Sequence, residues 1–289
     1  MLIPVNLRKI TPHKDWTHRT PFPPLGFLPF FECELGNGDT FGLYWPIGRE
    51  NYEPLVVETW HDSWQIQPTY SSLDSFLAAA QSIPDEYPEP PTLSEDPNSP
   101  RACFQAAKES IKNQDIETSI QHLETAVVML PEYTDALSLL WQQYVRSGRI
   151  EEAVSISIRA IISPPSFGER PLKALRWLCS QPSSVPSVES DPIWLARSQL
   201  KLVFGGKKEN ADFPVLLNAI NGYLAQSQFL RASTLMQTYA ELMSAETVSF
   251  QERYEFNLEK FIAWQIEVSS KHNAGTRNVP AKLMALHID

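Results

Sequence analysis

Residues 101–163 show a period of 34, and that spacing restricts the fold more than any other feature of the chain. Gln114, Asp115, Ile116, Ser119, Leu123, Ala126 and Pro131 recur 34 residues later as Gly148, Arg149, Ile150, Ala153, Ser157, Ala160 and Pro165. Small residues at Ala107, Ser119, Ala126, Ala153 and Ala160 let two helices approach closely, and Phe104, Leu123, Leu140, Tyr144 and Ile156 fill the space beside them. Gly148 permits a turn between helices, and Pro131 and Pro165 end the second helix of each pair. The spacing therefore predicts two helical hairpins. Beyond them, periodicity predicts helices over 170–179, 192–202, 215–226, 229–243 and 249–269. Phe229, Ala232 and Met236 repeat the spacing of the second helix, and Tyr254, Leu258, Phe261 and Ile262 share one face of a terminal capping helix.

Proline marks where the helices begin. Fifteen of the 24 prolines fall in residues 1–100, and six fall in 84–100. Proline lacks a backbone donor and restricts its predecessor, so that stretch is expected as an extended acidic linker. Upstream, Phe41, Leu43 and Trp45 alternate with Gly42 and Tyr44 after a Gly36-Asn37-Gly38-Asp39 turn. Leu55–Val57 forms a β-branched run, His61-Asp62-Ser63 a turn, and Trp64, Ile66 and Pro68 resume the alternation. Ser71 or Ser72 then caps a helix with Leu73, Phe76, Leu77 and Ala80 on its buried stripe. The expected architecture is a small α+β antiparallel meander at 1–83, a linker at 84–100, an all-α helical-repeat domain at 101–272 and a loose tail at 273–289.

Two family resemblances follow from these residues. Leu137, Leu140, Tyr144, Gly148, Ala153, Ala160 and Pro165 stand where the tetratricopeptide repeat has its signature; Trp141, Gln114 and Ser119 replace small residues usual there. The resemblance implies stacked antiparallel helix pairs whose concave face holds a peptide or partner helix. Arg101, Phe104, Lys108 and Lys112, then Asp135, Gln142 and Arg146, would line that groove. Separately, the run from Phe27-Leu28-Pro29-Phe30 through Gly36–Asp39, Phe41–Leu43, Val56-Val57 and His61-Asp62 to Ser71–Leu77 is similar to the SUKH superfamily. That superfamily includes yeast cell-wall assembly regulators of the Smi and Knr type and bacterial immunity proteins that neutralise toxins. Its domain normally starts with helices, whereas here some 25 proline-containing residues precede the first strand.

Charge separates the segments. The net charge is −10, yet residues 25–100 alone carry 13 acidic residues against one basic residue, Arg49. Such a segment repels phosphates, so direct nucleic-acid binding is not expected, whereas a basic protein would be steered to it. No run approaches the roughly 18–20 apolar residues of a membrane span. The first 20 residues hold Arg8, Lys9, Lys14, Asp15 and Arg19, so no secretory signal is expected and the cytoplasm is the simplest compartment.

Motifs of catalysis are not found: no Gly-x-Ser-x-Gly, His-Glu-x-x-His, phosphate-binding glycine loop or Cys-x-x-Cys occurs. Cys33, Cys103 and Cys179 match no metal spacing, and the latter two are expected as buried, inert thiols. His61 and Asp62, adjacent on a turn, are expected to point apart. Neither an enzyme, nor a cofactor, nor a metal site is expected. The preferred expectation is a protein-binding immunity protein. It would occlude a basic toxin with an acidic, aromatic surface of Glu32, Glu34, Asp39, Glu58, Trp60, Asp62 and Trp64. The alternative is an adaptor or chaperone using the repeat groove. Oligomeric state is not legible.

Overall fold

The computed structural model describes residues 21–34, 39–82, 88–182, 185–205 and 209–272. It has an α+β region followed by an all-α region, and its residues gather into two units, the first running to Pro131 and the second from Glu132. The boundary thus falls between the two hairpins of the 34-residue repeat, not in the proline-rich stretch.

In the first unit, strands β1 (Phe27–Glu34), β2 (Thr40–Tyr44), β3 (Leu55–Trp60) and β4 (Gln65–Tyr70) form an antiparallel meander in the order β1-β2-β3-β4. Leu43 pairs with Leu28 on one side and Val56 on the other, which sets the register of three strands. Gly42 is obligatory: a Cβ there would lie 2.4 Å from the Leu28 carbonyl oxygen. Helix α1 (Leu73–Ser82) starts where Ser72 Oγ accepts from Ser75 N at 3.1 Å. It presses the fully buried Phe76 among Phe30, Phe41 and Tyr70, with ring centroids 5.2–5.7 Å apart. The expected Gly36–Gly38 turn lies outside the described residues.

Residues 88–99 are no free tether. Their prolines keep them out of helix and sheet, but their polar groups fasten them to the end of β4. Tyr70 Oη donates to the Glu89 carbonyl at 2.9 Å. Ser71 N and Oγ donate to the buried Asp96 carboxylate at 2.8 and 2.6 Å. Ser99 Oγ donates to the Thr69 carbonyl at 2.6 Å and accepts from Ala102 N at 3.0 Å, capping helix α2 (Pro100–Lys112). The strap therefore hands the chain to α2 already docked on β4. Helix α3 (Ile116–Met129) folds back on α2 to complete the first hairpin.

The second unit opens with the second hairpin, α4 (Thr134–Arg146) and α5 (Ile150–Ile162), each helix starting 34 residues after its counterpart. A 3₁₀ turn (Pro165–Phe167) leads to α6 (Leu172–Ser180) and the short α7 (Pro192–Ala196). A third hairpin follows, α8 (Asp212–Ala225) with α9 (Phe229–Ser244), and then α10 (Val248–Arg253) and α11 (Leu258–His272). Phe213 is the aromatic centre, within 5.7 Å of the rings of Phe204, Tyr239, Phe250 and Tyr254.

Two helix expectations need correction. The helix expected over 192–202 ends at Ala196 and a 3₁₀ turn, because the Asp212 carboxylate binds Lys201 N (2.8 Å) and Val203 N (3.3 Å) and holds that backbone out of helix, with Leu202 at a left-handed φ of 52°. The helix expected over 249–269 is broken at Tyr254–Asn257. Tyr254 Oη accepts from Asn210 N and donates to its carbonyl, and Asn257 Oδ1 caps α11 at Lys260 N (2.9 Å).

All three hairpins turn in the same way, and so does the α10–α11 junction. Gln114, Gly148, Ser227 and Glu255 take left-handed φ of 62°, 74°, 57° and 52°. The next amide in each case reaches back five residues, as in Asp115 N to Ser110 O (2.9 Å) and Arg149 N to Tyr144 O (2.8 Å). Only one of the four is glycine. Relief of left-handed strain predicts that Gln114→Gly stabilises the protein by about 0.5–1 kcal/mol and that Gly148→Ala, whose Cβ would meet open space, destabilises it by about 1 kcal/mol, checked by urea denaturation.

Candidate functional site

The expected partner surface centres on the β3–β4 turn. The structure brings Asp39, at the entry to β2, against that turn: its carboxylate accepts from His61 N at 2.8 Å and from His61 Nδ1–H at 2.9 Å. His61 Nε2 lies 3.0 Å from Asp62 Oδ1, so the adjacent pair does not point apart as expected. The imidazole bridges two carboxylates. Its pKa is raised above 6.5 by the Asp39 hydrogen bond, opposed by partial desolvation and assisted by the charges of Asp62 and Asp39.

Aromatic side chains flank this bridge. Trp64 closes the turn at φ 54°, a left-handed conformation that glycine or asparagine adopts at lower cost. It does not continue the strand alternation; its ring is 47% exposed and stacks on Phe22 at 5.7 Å. Trp60 is half-buried at the end of β3, and the Asp62 side chain is 93% exposed. The side chains of Glu32 and Glu34 lie outside the described residues.

Glu58 departs from the expected surface. It is half-buried, 3.8 Å from Arg101 Nη1 on α2. Glu58 was expected on the acidic surface and Arg101 in the helical groove, and the structure pairs them. Their pairing could not be read from spacing, because 43 residues separate them and the strap's path decides where α2 lands.

The remaining groove residues are largely engaged within their own units. Phe104 carries Lys108 over its ring at 5.4 Å, and Lys112 pairs with Glu109 at 2.6 Å. On α4, Gln142 is half-buried and exposed Arg146 donates to Gln143 Oε1 at 3.2 Å. Asp135 is structural: its carboxylate accepts from Glu169 N at 2.8 Å, against Gly168, where a Cβ would clash at 2.3 Å.

An open cleft of about 600 Å³ in the second unit is lined by the α4–α5 turn, Ser187 and Arg231. Its arginines are committed, Arg149 to Glu152 (3.0 Å) and the Tyr144 ring (4.3 Å), and Arg231 to buried Asp191. Among the described residues, no three His, Cys, Asp or Glu side chains cluster as metal ligands, and no helix is long and apolar enough to cross a membrane. Burial pushes the Cys103 thiol up to about 11, whereas Cys179 is exposed, contrary to expectation.

Sheet unit, helical hairpins and an acidic, tryptophan-bearing turn define a two-part α+β and all-α protein with a prominent surface feature on its first part. Residues 12–89 match the model of the YfbP N-terminal domain and residues 203–277 that of the YfbP C-terminal domain. The chain is 36% identical over 256 residues to the uncharacterized protein YfbP of Escherichia coli (strain K12), covering 88% of this chain and 90% of that one. The chain belongs to the YfbP family. The matched stretches carry the meander with α1, and the third hairpin with α10 and α11.

The His61 bridge has a defined pH dependence. A raised pKa in the folded state means the bridge stabilises fully below the unfolded value of 6.5 and is lost as pH rises through the folded value. NMR titration is expected to place the His61 midpoint above 6.5, and Asp39→Asn to lower it. A midpoint unmoved by that substitution contradicts the bridge.

Proposed function

We propose that the chain is a non-catalytic protein-binding protein whose β3–β4 turn docks a basic protein partner. The observation that carries this reading is Trp64: a large aromatic half in solvent, held in a left-handed conformation beside the exposed Asp62 carboxylate. Residues kept in sparsely populated backbone regions cluster at functional sites, and tryptophan is enriched among the hot spots of protein interfaces. Trp60 and Trp64 would supply buried area, and Asp62 with the acidic segment around it would supply steering.

The resemblance of residues 25–80 to the SUKH superfamily narrows the partner to a bacterial toxin domain. In that reading the protein acts in the cytoplasm as an immunity protein, occluding a basic active cleft. The engagement of Lys112 and Asp135 within the protein favours this surface over the helical groove of the adaptor reading.

The test begins with the partner recovered from the native host by the tagged full chain, and affinity is then measured with variants. Trp64→Ala is expected to weaken binding by about 30-fold, equivalent to about 2 kcal/mol, and Asp62→Lys to slow association in a salt-dependent way. Lys108→Glu with Arg146→Glu is expected to leave affinity unchanged. The reverse pattern supports the adaptor. A partner whose expression alone is harmless to the host contradicts immunity.

A further inference from the structure

Glu241 on α9 is only 4% exposed, and its three hydrogen-bond donors are all uncharged. Ser166 N reaches Oε2 at 3.0 Å, and Ser166 Oγ and Gln237 Nε2 reach Oε1 at 3.0 and 2.8 Å. Gln237 in turn accepts from Gln265 Nε2 on α11 at 2.9 Å. One step along α9, Thr238 Oγ1 donates to the Ile162 carbonyl at 2.6 Å. A single carboxyl thus joins the Pro165–Phe167 turn to α9 and, through Gln237, to α11.

The ionisable groups of the surrounding elements are spoken for by others. Arg159 on α5 interacts with Glu132, Tyr144 and Arg231. Asp135 on α4 holds Glu169 N, and Arg170 donates to the Leu202 carbonyl. On α8, Asp212 holds Lys201 N and Val203 N; on α9 itself, Arg231 pairs with Asp191 and Tyr239 responds to Tyr254. On α11, Glu267 pairs with Lys271 at 2.7 Å.

We propose that Glu241 is a proton-operated clasp of the second unit: protonated, it holds the Pro165–Phe167 turn against α9, and ionised, it weakens that hold. The proton comes from solvent and resides on the carboxyl. The hydroxyl of Ser166 can reverse its role and accept from the new O–H, so the protonated state keeps its hydrogen bonds. The ionised state leaves a negative charge buried away from water with only neutral donors, which is the costly form. Burial accordingly pushes the carboxyl up to about 7, against the opposing effect of its three donors. The folded value lies above the unfolded one near 4.5, so the stabilisation is complete below pH 4.5 and is lost as pH rises through about 7. The device thus responds in the neutral range.

Two measurements on the full chain test this. A ¹³C NMR titration of the native protein's glutamate carboxyls is expected to show one group, absent from Glu241→Gln, with a midpoint near 7. The melting temperature is expected to fall by roughly 5–10 °C more between pH 5 and 8 in the native chain than in Glu241→Gln. Amide protection at Ser166 and Phe167, corrected for intrinsic exchange, is expected to fall over the same range in the native chain alone. A Glu241 midpoint near 4.5, or identical melting slopes, overturns the proposal. Should Glu241→Gln fail to fold, the native chain decides alone: a carboxyl titrating near 7 while protection falls at Ser166 and Phe167 supports it, and no such carboxyl, or unchanged protection, overturns it.

Discussion

Asp96 and Ser99 hold the first unit together, and most of what is distinctive about it depends on them. A four-stranded meander has a last strand whose end must be satisfied, and here two side chains of the proline-rich stretch do so. Asp96 receives both donors of Ser71, and Ser99 links the Thr69 carbonyl to the first turn of α2. Both residues are buried, so removing either would strand polar groups away from water, at about 1–3 kcal/mol each. The same attachment aims α2, and aiming α2 puts Arg101 beside Glu58. That half-exposed pair contributes about 1 kcal/mol or less to stability. Its larger consequence is to withdraw one residue from each of two conceivable recognition surfaces.

The helical region rests on a different economy, one turn geometry used repeatedly. Each hairpin closes through a left-handed residue and a five-residue backward hydrogen bond, whether that residue is Gly148, Gln114 or Ser227. Where side chains vary, the backbone motif persists, because it satisfies the orphan carbonyls of the preceding helix without help from any side chain. The third hairpin, within the stretch matched to the YfbP C-terminal domain, is therefore built like the first two although its sequence signature is worn.

Local features were legible in the sequence and long-range ones were not. The meander, the Ser72 cap, the 34-residue offset of the hairpins and the helices α8 and α9 follow from alternation, periodicity and turn chemistry. The prolines of the described stretch 88–97 stand outside helix and sheet and Pro100 opens α2, but composition is silent on where a carboxylate such as Asp96 finds donors 25 residues upstream. The break at Tyr254–Asn257 escaped because periodicity continues through it, while the left-handed Glu255, the Asn257 cap and the Tyr254–Asn210 contact together end one helix and start the next. At the candidate site, Asp39, Asp62, Trp60 and Trp64 were legible as an acidic, aromatic set. The imidazole bridge that organises it needs the pairing of β2 with β3, which brings Asp39 to His61.

These points bear on our proposal that the exposed end of the meander, carrying Trp64 and Asp62, docks a protein partner. Hydrogen-exchange mass spectrometry of the full chain, free and in complex with the partner recovered from the native host, tests it most directly. The account predicts new protection over residues 58–66, with little change along α2 and α4. Protection confined to residues 100–112 and 134–146, leaving the β3–β4 turn as exposed as in the free chain, would contradict it.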